Sequence, residues 1–394
     1  MASVHPYIFG FNLDKFSRFI FIFLFFAIIT IPSLVDILKI QPLVEPIVEN
    51  RTLAPLPNFS EIGNISKTID QSMKWFDDHF GFRSLLIRIK NQIDFSVFGT
   101  SNRVHIGPDG WLNYRNTIDQ HVQAVEAMSN ADMDHVLQLI INLRDFLTAR
   151  NIELVIFTIQ MKDRFYPEFF PAASARRAFS RQRFDKLKEN LNKLEGLTYI
   201  DSTPMLLRLK QNRPIFHKTD FHWNDPAAFE MAKVLVNHFA VEKNDSDLKW
   251  RNELNIEKKQ YSGGEAQFMP LLSPLQEEAL FLAPVPQEKA ISLVWEHKVA
   301  PYEWVTHAPL DTKRLLPSLV MFGDSFLNGI MRSGFQDHFE SVSRSSVYNA
   351  KMNDILRSMP PDTRYFIFEF NELSVPYLKL LIKFDPKVVA EPKT

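Results

Sequence analysis

Leu319-Val320-Met321-Phe322-Gly323-Asp324-Ser325-Phe326 is a run of four apolar residues that stops at Gly-Asp-Ser and passes into the amphipathic stretch Phe326 to Phe335. A short, continuous apolar run followed by a sharp turn and a helix reads as a buried strand, and its carboxyl end lies at the edge where α/β proteins bind ligands. Ser325 sits at that edge. Its own backbone N–H, at a helix start, can help to hold an oxyanion. Taken alone, Asp-Ser after a strand is more often a plain helix cap, so what else the chain brings to the same edge decides its meaning.

Outward from this stretch the same pattern repeats. Glu153 to Ile159 (ELVIFTI) and Tyr365 to Phe370 (YFIFEF) are further buried strands, with Thr198-Tyr199-Ile200-Asp201 a shorter one. A helical period joins Met133, Val136, Leu137, Ile140, Ile141, Leu143 and Leu147, a second helix spans about Arg181 to Leu194, and a third opens at Pro226. Alternating helices and short apolar strands predict an α/β fold, a mostly parallel sheet with helices on both faces. Val104 to Tyr114 reads as a hairpin around Pro-Asp-Gly, and Ile69 to Phe98 as amphipathic helix broken near Gly81. Residues 245–315 are rich in loop signals and read as an insertion near a site.

Composition narrows the chemistry. The 394 residues carry 45 Lys+Arg against 46 Asp+Glu, a net charge of −1, which gives no electrostatic footprint for nucleic acid. With 13% aromatic and 23% charged residues the chain is too apolar to be disordered. It has no cysteine, so disulfides, thiol nucleophiles and thiolate zinc sites are excluded. A nucleophile here is Ser, Thr, Lys or a carboxylate.

Phe19 to Val35 (FIFIFLFFAIITIPSLV) is an uncharged run preceded by Lys15 and Arg18 and followed by Asp36. It reads as an uncleaved signal anchor: the run exceeds a usual signal-peptide core and no small-x-small site follows it. A cleaved signal peptide is the alternative. Lys15 and Arg18 keep the N-terminus cytoplasmic by the positive-inside rule and send the rest across the membrane. The expected organisation is a cytoplasmic tip and transmembrane helix over 1–40, a proline-rich linker over 41–60 and a catalytic domain over 61–385.

The second chemical motif is Lys218-Thr219-Asp220-Phe221-His222-Trp223-Asn224-Asp225-Pro226, just ahead of the helix that Asn224 or Asp225 and Pro226 would cap. In extended backbone, residues i and i+2 point the same way, so the Asp220 carboxylate can orient the His222 imidazole as a base. An isolated D-x-H is more often a loop carboxylate beside a buried histidine. Paired with Ser325 it gains weight, because Asp, His and Ser then all lie at strand-to-helix junctions. Lys162 and Tyr166 follow the Glu153 to Ile159 strand and are candidates to border the same cleft. Asn371, with Glu369 and Glu372 at the end of the last strand, is a candidate second oxyanion donor, and Trp223 a candidate substrate contact. His217, Asp220 and His222 lack a third well-spaced ligand, so no metal is expected. No phosphate-binding loop motif is present, so no nucleotide cofactor is expected either.

With D-F-H-W and G-D-S-F both in place, the sequence resembles the alginate O-acetyltransferase family of the AlgJ and AlgX type, a branch of the SGNH hydrolase-like fold. The likeness extends through Phe76-Asp77-Asp78-His79-Phe80-Gly81-Phe82-Arg83, Ile106-Gly107-Pro108-Asp109-Gly110-Trp111-Leu112, Lys162 with Tyr166-Pro167, and Glu369-Phe370-Asn371-Glu372. The family's Gly-Asp-Leu type segment appears here as Gly263-Gly264-Glu265-Ala266. The resemblance implies that Asp220, His222 and Ser325 form a catalytic triad, in the reverse of the usual SGNH order. It also implies an enzyme at the periplasmic face of a bacterial inner membrane that moves acetyl groups onto an exopolysaccharide. The acetyl donor would be a multi-span membrane acyltransferase, and other polymer-export subunits would be partners. Two further readings stay open: a polysaccharide acetylesterase with the same triad, and a non-catalytic scaffold of an export complex.

Overall fold

The computed structural model describes residues 13–38, 44–47, 52–57, 65–171, 181–283, 293–309, 312 and 314–390. Half of the expected linker 41–60 lies outside the described residues, as do 284–292, 310, 311 and 313 of the expected insertion. The chain forms two compact units, one of Met1–Gly99 with Pro270–Pro274, the other of Thr100–Met269 with Leu275–Thr394.

In the first unit the apolar N-terminal run lies within a helix, Leu13–Ile37, of 25 residues. At 1.5 Å per residue it is about 37 Å long, enough for a hydrocarbon core of about 30 Å. The window Lys15–Pro32 has a mean hydropathy of 1.9 and is almost wholly exposed. By length and composition this helix can cross a membrane, a test that a signal sequence also passes. Two more helices, Ile65–His79 and Arg83–Phe98, match the amphipathic stretch and break at Phe80-Gly81-Phe82, as expected. Gly99 ends the second at φ 60°, a left-handed geometry that glycine adopts without a Cβ penalty. Segment 270–274 joins this unit because Arg88 donates to the Leu271 carbonyl at 2.9 Å and Asn91 to that of Pro270 at 3.1 Å.

Among its described residues the second unit has eleven strands: β1 Val104–Ile106, β2 Leu112–Tyr114, β3 Glu153–Ile159, β4 Thr198–Asp201, β5 Ile256–Tyr261, β6 Glu277–Leu282, β7 Val294–His297, β8 Trp304–His307, β9 Leu319–Gly323, β10 Ser341–Ser346 and β11 Tyr365–Asn371. Seven of them form one sheet in the order β4-β3-β11-β9-β10-β8-β7. The first five strands in this order pair in parallel, whereas β8 and β7 add antiparallel. The sheet is therefore mixed, which corrects the expectation of a mostly parallel one. The antiparallel edge comes from the stretch read as an insertion, and the exposed strand β7 (VWEH) has no apolar run to announce it. The same stretch supplies the separate β5–β6 hairpin. β1 and β2 form the hairpin predicted around Pro-Asp-Gly, with Asp109 and Gly110 both at positive φ.

The central strands are apolar along their whole length because both faces are covered. Val155, Phe157, Ile159, Leu319, Met321 and Ile367 face one core, shared with the helix Asp225–Glu242. Leu154, Ile156, Val320, Phe322, Phe366 and Phe368 face the other, shared with the helices Asn130–Thr148, Gln182–Asn192 and Met352–Ser358. Alternate residues of each strand go to opposite faces, as the period of two requires. Phe322 is fully buried and stacks on Phe368 at 5.7 Å between ring centres. Truncating Phe322 to Ala should cost about 3–5 kcal/mol of unfolding free energy, read as a lower denaturant midpoint at unchanged slope. A loss below about 1 kcal/mol would mean that the centre of the sheet is not packed as described.

Candidate active site

β9 ends at Gly323, and the chain turns through Asp324 and Ser325 into the short helix Leu327–Arg332. The turn is fixed from within, since the Phe326 N–H donates to Asp324 Oδ1 at 2.8 Å. It is also fixed from behind. The Asp324 N–H donates to Glu369 Oε2 at 2.8 Å, the Asn371 amide donates to Asp324 Oδ2 at 2.6 Å, and Arg344 reaches the Asp324 carbonyl at 3.3 Å. Asp324 and Glu369 are both buried, and burial followed by the charge of Asp324 pushes Glu369 well above the usual carboxyl range. Burial raises Asp324 as well, so the charged form of each is disfavoured where the two buried carboxyls stand close together. A Cβ at Gly323 would lie 2.6 Å from Glu369 Oε2, so only glycine lets strand and carboxyl approach this closely.

The Asp-Phe-His-Trp segment arrives from the other side, and three of the predicted residues meet. His222 Nδ1 lies 2.7 Å from Asp220 Oδ1, and His222 Nε2 lies 2.7 Å from Ser325 Oγ. The other hydrogen bonds to Asp220 explain why it holds this pose. Oδ1 also accepts from the His222 N–H at 3.0 Å, while Oδ2 accepts from the Tyr261 hydroxyl and the Gly264 N–H, each at 2.7 Å. Burial opposes the charge on Asp220, but the bonds from His222 and Gly264 outweigh it and hold the carboxyl below the usual carboxylate range. Asp220 thus stays ionised beside the imidazole, as an orienting group must. Asn224 caps the following helix by accepting from the Ala227 N–H at 3.1 Å, and Pro226 lies in its first turn.

The remaining candidates take different places. Lys162 is buried, and its ammonium donates to the carbonyls of Asp220 at 2.9 Å and Lys218 at 3.1 Å while pairing with buried Glu265. It positions the Asp220 backbone and does not border the cleft. Glu265 in turn accepts from the Tyr114 N–H at 2.7 Å, and burial pushes its carboxyl up to about 7 despite the opposing pull of Lys162. The Tyr166 hydroxyl accepts from the Ile215 N–H at 3.0 Å, and its ring lines a separate cavity of about 720 Å³ with Lys210, Arg213 and Lys218. Trp223 is buried and donates to the Phe326 carbonyl at 3.2 Å, so it holds the Ser325 turn from below. Asn371 does reach the Ser325 cavity, with one amide hydrogen committed to Asp324 and its oxygen accepting from the Leu373 N–H at 2.8 Å. His217 packs against the rings of Tyr261 and Phe281, and burial lowers its pKa. Tyr261 and Arg344 were not singled out in the sequence, where a hydroxyl or a charge within an otherwise ordinary segment is their only signal; Glu265 and Glu369 were named only within the segments that carry the family likeness, with no role of their own.

Ser325 opens into a cavity of about 520 Å³ walled by Tyr114, Phe221, Phe268, Tyr348, Tyr377 and Leu381. Among the described residues no Lys, Arg, Asp or Glu lines it, and burial lowers the pKa of His121 on its wall. A hydroxyl nucleophile, a base within hydrogen-bond reach and a carboxylate that orients the base, set at the floor of such a cavity, can perform acyl chemistry.

Residues 104–289 match the family model described as SGNH hydrolase-like domain, acetyltransferase AlgX. The chain is 24% identical over 364 residues to the probable alginate O-acetylase AlgJ of Pseudomonas syringae pv. tomato, covering 86% of this chain and 88% of that one. To the probable alginate O-acetylase AlgJ of Pseudomonas aeruginosa it is 27% identical over 215 residues, covering 52% of this chain and 51% of the relative. Among solved structures it is similar to the O-acetyltransferase domain of Pseudomonas putida AlgJ, at 18% identity and a TM-score of 0.44 over 73% of this chain and 97% of that one. Bacillus cereus PatB1 is another, at 15% identity and a TM-score of 0.48 over 66% of this chain and 94% of that one. The family match bears out the resemblance read from the motifs: residues 104–289 are similar to the SGNH hydrolase-like domain of AlgX-type acetyltransferases. Asp220 and His222 lie inside that stretch and Ser325 beyond it.

Gly263 offers a test of how tightly the Asp220 loop is held. A Cβ there would lie 2.5 Å from both Asp220 Cβ and the Thr219 carbonyl oxygen, whereas one at Gly264 meets nothing closer than 3.5 Å. Gly263→Ala should slow labelling of Ser325 by a fluorophosphonate about 100-fold with circular dichroism unchanged, while Gly264→Ala labels nearly as fast as the parent. Equal labelling of all three proteins would show that the pose of Asp220 does not control Ser325.

Proposed function

We propose that this protein is an O-acetyltransferase that moves acetyl groups onto hydroxyls of a polysaccharide through an acetyl-serine intermediate. The observation that carries the reading is the chain of two 2.7 Å hydrogen bonds linking Asp220, His222 and Ser325 at the floor of an uncharged, aromatic-walled cavity. Likeness to probable alginate O-acetylases supports acetyl transfer to a polysaccharide as the reaction class.

In the first half-reaction Ser325 Oγ attacks the acetyl carbonyl carbon of the donor ester and its proton passes to His222 Nε2. The imidazolium is stabilised by Asp220, whose depressed pKa keeps it ionised. The tetrahedral oxyanion is received by the Ser325 N–H and by the amide hydrogen of Asn371 that is not donated to Asp324. Collapse breaks the bond to the donor oxygen, which leaves with the proton from His222. In the second half-reaction a sugar hydroxyl loses its proton to His222, attacks the acetyl-serine and releases Ser325, which recovers that proton. The aromatic walls exclude water and stack on a sugar ring, favouring a sugar hydroxyl as acceptor.

The helix Leu13–Ile37 supports a single-pass anchor in the inner membrane with the catalytic part in the periplasm. In that setting the acetyl donor is a multi-span membrane acyltransferase, the acceptor an exopolysaccharide, and the partners are other polymer-export subunits.

Incubation with a chromogenic acetyl ester should add about 42 Da (one acetyl group) at Ser325, and the adduct should decay faster with acceptor polysaccharide than in buffer. Ser325→Ala should form no adduct, and Asp220→Asn should lose about 10²–10⁴ in turnover. Decay at equal rates with and without polysaccharide would make the protein an esterase. Absence of adduct and of ester cleavage in the parent would leave the scaffold reading.

A further inference from the structure

At the opposite edge of the sheet from Ser325, the geometry points to a second site that binds a first-row divalent cation of the zinc type. Its ligands are Glu153, His238 and Glu242, whose donor atoms all lie within 4.8 Å of one another. Glu153 opens β3, while His238 and Glu242 lie one turn apart in the last turns of the helix Asp225–Glu242, on one face. β3, β9 and β11 run parallel and Ser325 follows the carboxyl end of β9, so a cation at the start of β3 is remote from the acyl chemistry.

Two observations beyond the cluster itself point to a cation. Tyr365, only 2% exposed, is the register partner of Glu153 on β11, and its hydroxyl has no hydrogen-bond partner among the described residues. Its ring packs 4.2 Å from that of Phe239, the neighbour of His238 on the helix. Glu153 Oε1 accepts from Thr198 at 2.6 Å and His238 at 3.1 Å, while its buried Oε2 has no hydrogen-bond partner among the described residues. The cluster also stands at a helix carboxyl end, where the backbone carbonyls already carry partial negative charge.

One imidazole and two carboxylates suit zinc, and manganese less tightly; a calcium site would use oxygen ligands alone. Tyr365 is too buried to be displaced, and its hydroxyl suits a donor to a ligating carboxylate, orienting it from outside the coordination sphere. The cation would pin the far end of the helix whose first residue stands three positions after His222.

The test uses the full chain without an affinity tag, stripped with EDTA and titrated with zinc, manganese and magnesium chlorides by calorimetry and thermal melting. One equivalent of zinc should bind, more tightly than manganese and much more tightly than magnesium, raising Tm by about 3–6 °C at saturation. Glu242→Ala and His238→Ala change partly exposed side chains and should fold, yet each should weaken binding at least about tenfold, and Tyr365→Phe should weaken it without abolishing it. Ester cleavage by the stripped protein should match that of the loaded one. No zinc-dependent heat or Tm shift, or binding undiminished in both ligand variants, would overturn the site and assign the close approach of Glu153 and Glu242 to a shared proton.

Discussion

Asp220 must keep a charge in a place from which water has been removed, and the hydrogen bonds that allow this organise most of the loops at the carboxyl edge of the sheet. Gly264 and Tyr261 approach from the β5 hairpin side, the His222 N–H from the same segment, and Lys162 grips the Asp220 carbonyl from the end of β3. Lys162 needs its own counter-charge, Glu265, and Glu265 in turn fixes the Tyr114 N–H at the end of β2. Each buried charge is thus answered by another group, and the chain of answers links β2, β3 and the 261–266 turn. The close passage of Gly263 over Thr219 follows from the same requirement, since no side chain fits where the two backbones meet.

A second polar cluster does the equivalent work beneath Ser325. Asp324, Glu369, Asn371 and Arg344 come from three adjacent strands or their ends, and all are buried. Burial disfavours charge on both Asp324 and Glu369, and the guanidinium of Arg344 donates to the Asp324 carbonyl at 3.3 Å and to the Asn328 amide oxygen at 3.0 Å. The serine turn therefore rests on a rigid polar floor, and the histidine loop on a charged one.

The sequence makes some of this legible and hides the rest for identifiable reasons. β3, β9 and β11 declare themselves because both of their faces are covered, which forces uninterrupted apolar runs. β10 reads Ser-Val-Ser-Arg-Ser-Ser and is nonetheless fully buried in the middle of the sheet. Two of its polar side chains find partners inside, Ser345 on the Pro301 carbonyl and Arg344 behind the Asp324 turn, and no periodicity reports partners so distant in sequence. The pairing of Asp220, His222 and Ser325 was visible because each stands just ahead of a helix, although only Ser325 follows a strand and the Asp220 to His222 segment is a loop with isolated bridges at Phe216 and Trp223. The place of Lys162 was not, because a lysine after a strand is usually solvated, and only the fold supplies Glu265 and two inward carbonyls. Tyr166 and Trp223 were drawn toward the cleft by proximity in sequence, yet both are used up in holding backbone.

The bond between His222 and Ser325 joins residues 103 positions apart in the chain. Every strand that supports Ser325 is synthesised after the Asp-Phe-His-Trp segment, and β3 waits for the last strand, β11, before it gains its central neighbour. Contacts of such long sequence separation form late, because the entropy of closing the loop is lost before the pairing returns anything. The hydrogen bond between His222 and Ser325 is consequently made only when the fold is complete: a nascent or partly unravelled chain holds the Asp220–His222 pair without the serine it faces.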